Sequence, residues 1–80
     1  MKIAHREVQS LIDARISPLV ALDGAEIELL SIDDENVVTL RFKGSYRGSP
    51  CRTIVLDYVV RPILKKGLAL DEPLDIRLVD

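Results

Sequence analysis

The feature that most restricts what this chain can fold into is an alternation at residues 37–43. Val38, Leu40 and Phe42 stand on one side of an extended segment, and Val37, Thr39, Arg41 and Lys43 on the other. Successive side chains of a strand point to opposite faces, so this segment carries one apolar and one mainly polar face. Such a strand belongs to a sheet that must be covered by a second layer. Residues 26–32 read as a partner strand, with Ile27 and Leu29 on one face and Leu30 and Ile32 on the other. Asp33-Asp34-Glu35-Asn36 between them is turn chemistry, and the economical arrangement is an antiparallel hairpin. A third strand follows from Leu74, Ile76 and Leu78 alternating with Asp75, Arg77 and Val79.

The covering layer is legible as two helical segments. Val8, Leu11, Ile12, Ile16, Leu19 and Val20 recur at spacings of three and four, the period of one helix face. Pro18 lacks a backbone N–H, so this helix is expected to end or kink near Ser17, and Asp23-Gly24 supplies a chain stop. Residues 53–60 are ambiguous. Their β-branched content suits a strand, yet Val55, Tyr58, Val59, Ile63 and Leu64 fit a helical stripe, and Ser49-Pro50 is a cap followed by a proline at the first helical position. The cap and the longer stripe predict a helix over 50–66, closed by Lys65, Lys66 and Gly67. The expected fold is therefore α+β, in the order α-β-β-α-β: a compact single domain spanning residues 1–80, with two helices on one face of a three-stranded mixed sheet.

Composition narrows the function. Eleven basic and thirteen acidic residues give a net charge of −2, whereas nucleic-acid binders usually carry a basic excess. So short a chain encloses a deep catalytic cleft with difficulty. No apolar run approaches the ~20 residues that span a bilayer, and the first residues lack the apolar core of a signal peptide. The single cysteine, Cys51, excludes an internal disulfide and a self-contained cysteine metal site. The expectation is a cytoplasmic protein that is not an enzyme and touches neither nucleic acid nor membrane.

Two motifs carry a resemblance. Ile16-Ser17-Pro18-Leu19 leading to Asp23-Gly24-Ala25-Glu26-Ile27-Glu28-Leu29 resembles the helix end, Asp-Gly-Gly turn and first strand of the NifU C-terminal domain family. Gly44-Ser45-Tyr46-Arg47-Gly48-Ser49-Pro50 is similar to that family's Gly-Ala-Cys-x-Gly-Cys-Pro loop. The likeness runs over roughly residues 7 to 79 and implies the same α-β-β-α-β order. It further implies a role in iron–sulfur cluster assembly or delivery, where the family's CxxC pair binds clusters commonly shared between two subunits. With Gly48 and Pro50 fixing the register, the two cysteine positions fall here on Tyr46 and Ser49. Neither side chain substitutes for a thiolate, and a cluster takes about four cysteine sulfurs.

The candidate residues therefore gather at 44–52. Cys51 lies at a helix start beside Arg52 and close to Arg47. That setting stabilises a thiolate, although a cysteine there is also simply a small residue packed or idle in a loop. Arg41, Lys43, Arg47 and Arg52 crowd the same loop and would suit an anion or stand as solvated charge. Tyr46 offers an amphipathic ring suited to a protein contact. His5, the one histidine, has no motif partner, and Asp33, Asp34 and Glu35 lack calcium-loop spacing.

The leading expectation is a protein-binding module tied to iron–sulfur biogenesis, without a cofactor of its own, with Tyr46, Arg47 and Arg52 as partner contacts, acting as a monomer or weak homodimer. The alternative is a scaffold that binds a cluster through Cys51 of two subunits plus external thiols. A further alternative, a redox or thiol protein centred on Cys51, has no resolving cysteine or histidine motif behind it.

Overall fold

The computed structural model describes residues 2–72 and 74–79. Helix α1 (residues 5–21) is built from the contiguous segments His5–Leu11, Ile12–Ile16 and Ser17–Ala21. Strands β1 (Ala25–Ile32) and β2 (Val38–Gly44) follow, then helix α2 (residues 51–67) from Cys51–Val55, Leu56–Val60 and Arg61–Gly67, then strand β3 (Ile76–Val79). The sheet order is β1-β2-β3, with β1 antiparallel and β3 parallel to the central β2. A parallel pair needs a crossover connection, which α2 provides. This is the expected α+β fold.

The alternation at β2 sets the layers. Val38, Leu40 and Phe42 are buried, as are Ala25, Ile27 and Leu29 on β1, while Ile76 and Leu78 of β3 are half-buried on the same face. Both helices cover that face. Helix α1 contributes Val8, Ile12, Ile16 and Val20, and α2 contributes Leu56, Val60 and Leu64. The other face is polar: Glu26 lies opposite Lys43, and Glu28 opposite Arg41, whose Nε donates to Glu28 Oε1 at 2.9 Å.

Four expectations are corrected. Of the two outcomes expected at Pro18, an end or a kink near Ser17, the end does not occur, since α1 continues to Ala21. A π-helical turn at Ile12–Ile16 precedes the proline, with the Ser17 N–H donating to the Ile12 carbonyl. The same device recurs in α2, where a π-helical turn at Leu56–Val60 precedes Pro62 and the Arg61 N–H donates to the Leu56 carbonyl. The buried stripes explain it, because side chains spaced strictly by four drift about 40° per step around an α-helix of 3.6 residues per turn. A wider turn reduces that drift and keeps Ile12, Ile16 and Val20, or Leu56, Val60 and Leu64, on the core.

The second correction is the sidedness of β1. Its register slips between Leu29 and Ser31, so that Ile32 pairs with Val38. A bulge adds one residue to one strand and resets the alternation. Ile32 thus packs against the core with Ile27 and Leu29, leaving Leu30 outside. The third is Tyr58, expected on the helical stripe but 79% exposed, because the π-helical turn rotates Leu56 and Val60 inward in its place. Strand β3 also begins later than the alternation suggested. Leu74 is buried before the strand starts, held from outside by Arg61 Nη1 donating to its carbonyl at 2.7 Å.

Candidate functional site

The loop between β2 and α2 starts at a close contact of two glycines. Gly44 has φ +73°, and a Cβ there would collide with the carbonyl oxygen of Gly24 (φ +76°). Only glycine meets both demands. The Ser45 N–H then donates to the Gly24 carbonyl at 3.1 Å, and Ser45 Oγ donates to the Asp23 carbonyl at 2.5 Å. Two successive turns follow, closed by Arg47 N–H to the Gly44 carbonyl and Ser49 N–H to the Tyr46 carbonyl, each at 3.1 Å. Gly48 takes φ +70° within the second turn. Pro50 already has helical angles, φ −62° and ψ −19°. Ser49 caps the helix as expected: its Oγ accepts the Cys51 N–H at 3.1 Å, satisfying one of the free donors of the first turn.

Tyr46 is held at two points. Its ring meets Phe42 edge-on, with centroids 5.8 Å apart and planes at 75°, a favoured aromatic geometry. Its hydroxyl donates to Asp23 Oδ2 in the turn after α1. That hydrogen bond, with smaller contributions from desolvation and from the negative charges of Asp23 and Cys51, raises the Tyr46 pKa above the ordinary 10.0.

Tyr46, Ser49 and Cys51 line one open depression of about 440 Å³ together with Asp23, Ser45, Ile54 and Val55. Cys51 is exposed there as a free thiol. Of the four basic residues expected around the loop, Arg41, Lys43 and Arg47 line one separate depression, with Glu26, Phe42 and Gly44, and Arg52 does not. Arg41 is engaged by Glu28, and Arg52 turns back to donate from Nε to the Ser49 carbonyl at 3.1 Å. Asp23, which the sequence marked only as part of a turn, is the site residue it missed. No local spacing signals a partner so far along the chain.

A family model described as NifU-like domain matches residues 8–72. The chain belongs to the NifU-like domain family. No curated protein matches it. Membership is consistent with iron–sulfur cluster assembly or delivery, and NifU-like domains are generally scaffold or carrier modules. The donor set at this loop is a phenol, a hydroxyl and one thiol, so a single NifU-like chain of this sequence cannot offer the four thiolates of a cluster site. Among the described residues, no group of three or more His, Cys, Asp or Glu is placed to hold a metal ion, and no described helix is long and apolar enough to cross a membrane.

Proposed function

We propose that this NifU-like domain serves iron–sulfur cluster assembly or delivery as a protein-binding module, with residues 44–52 as the contact surface and no cluster held by a dithiol of its own. The observation that carries this reading is the filling of both cysteine positions of the resembled loop. Tyr46 is bound to Asp23 and Phe42, and Ser49 is used as a helix cap. Both side chains are committed to holding the loop. The half-buried Tyr46 ring and the exposed Ile54 and Tyr58 on the adjoining helix give the surface apolar anchors.

A second reading has one observation in its favour: Cys51 is exposed on the same depression as Tyr46 and Ser49. Two chains would supply two thiolates, and outside thiols the rest. A thiol–imidazole pair is not available to a redox reading. His5 starts α1, whereas Cys51 borders Asp23 just past its other end, about 25 Å away at 1.5 Å per residue.

Anaerobic reconstitution with iron(II) and sulfide separates the readings. The native chain is expected to take up no stoichiometric cluster, whereas Tyr46→Cys with Ser49→Cys is expected to bind one per dimer, because two chains then present four thiolates. The measurement is iron and sulfide per chain together with molar mass. A full cluster on the native chain, abolished by Cys51→Ser, would install the second reading. The contact surface is checked by adding a cluster-loaded carrier protein to the labelled domain. Amide shifts should begin at 44–52, and shifts confined to the polar sheet face would move the surface elsewhere.

A further inference from the structure

We propose that the Tyr46 hydroxyl and the Asp23 carboxylate form a latch that orders the 44–50 loop without metal. This explains how a loop whose donors do not fit a cluster can still hold a defined shape. It adds to the proposed function by naming what fixes the contact surface, and its test needs neither partner nor cluster.

The latch joins segments far apart in the chain. Asp23 closes the turn after α1, and Tyr46 lies beyond the end of β2. Asp23 receives two donors from the loop: the Ser45 hydroxyl on its carbonyl and the Tyr46 hydroxyl on its side chain. The Ser45 N–H to Gly24 bond lies beside them. These three bonds pin one side of the loop to the α1–β1 turn, and the edge-on contact with Phe42 pins Tyr46 to the end of the core. The rest of the loop depends on this anchoring, since the Ser49 N–H bonds to the carbonyl of Tyr46 itself. A hydrogen bond to a charged acceptor is stronger than one between neutral groups, and of the three bonds only Tyr46–Asp23 has a carboxylate acceptor. A loop ordered in advance gives up less conformational freedom when it docks.

The test is backbone amide exchange of the native protein in a chelator, compared with Tyr46→Phe and Asp23→Asn. Tyr46→Phe keeps the ring on Phe42 and deletes only the donor. Asp23→Asn keeps an oxygen acceptor and removes its charge. In the native chain the Ser45, Arg47 and Ser49 amides should be protected with no metal present. Tyr46→Phe should speed their exchange about fivefold or more, Asp23→Asn by less, and the double variant no further than Tyr46→Phe alone. Amides within β2 should be unaffected in all three, which separates release of the loop from general loss of stability. Should Tyr46→Phe disturb β2 as well, Asp23→Asn alone decides: faster exchange confined to the loop supports the latch. Loop amides unprotected in the native chain, or exchange unchanged in both single variants, would overturn it.

Discussion

Ala69 has φ +54°, a left-handed conformation that costs an L-residue about 1 kcal/mol or more. It sits where α2 ends. The Ala69 N–H donates to the Lys66 carbonyl at 3.2 Å and the Leu70 N–H to the Lys65 carbonyl at 3.0 Å, the double closure in which glycine normally holds the left-handed place. The sequence instead pointed to Gly67, which serves a different end. A Cβ at Gly67 would lie 2.6 Å from a methyl of Leu11, so that glycine admits α1 close to α2. Ala69→Gly is expected to stabilise the domain by about 0.5–1 kcal/mol, measurable as a raised midpoint in chemical denaturation. Tyr46 gives a second expectation at this scale. Its folded pKa lies above 10.0, so its contribution to stability is whole below the unfolded value and fades as pH rises through the folded one. The stability gap between the native chain and Tyr46→Phe should therefore be constant near neutrality and narrow in strong alkali. A gap that stayed constant throughout would assign it to something other than the hydroxyl.

The elements show where periodicity is a sufficient guide and where it is not. Residues 53–60 are β-branched yet helical, because Ser49 and Pro50 start a helix there and every fourth residue from Leu56 meets the core. The cap was legible in the sequence, whereas the stripe expected there, Val55, Val59 and Ile63, lies one residue before the buried Leu56, Val60 and Leu64. The π-helical turns were not legible, since a strict spacing of four also fits an ordinary amphipathic helix when only the pattern is seen. Tyr58 was misplaced for that reason. Arg61, just beyond the second such turn, links α2 to the entry of β3. Its Nε meets Asp57 Oδ1 at 3.1 Å while its Nη1 reaches the Leu74 carbonyl. Arg61→Ala should cost about 1 kcal/mol and speed exchange of the Val38 amide, which bonds the Asp75 carbonyl at 2.9 Å. An unchanged Val38 amide would show that β3 docks without this tie.

Across the whole molecule, the layer plan followed from two facts: one strand had a clean apolar face, and two segments had helical stripes to cover it. The position of the candidate site was equally legible, because Gly44, Gly48 and Pro50 mark the loop. Its internal bonding was not. Asp23 and Tyr46 meet only after α1, β1 and β2 have all been placed, and the N-terminal segment is docked in a similar long-range way, by the Ile3 N–H on Asn36 Oδ1 at 2.9 Å. Such pairs depend on tertiary geometry and leave no local spacing to read.

The bulge in β1 also bears on how copies of this protein meet each other. Strand β1 is an outer strand of the sheet, and a long, flat outer strand is a template on which a neighbouring chain can add its own. The extra residue at Leu30 interrupts the even spacing of the free amides and carbonyls along that border and sharpens its twist. The kink makes the β1 border a poorer template for a second chain than an even strand of the same length.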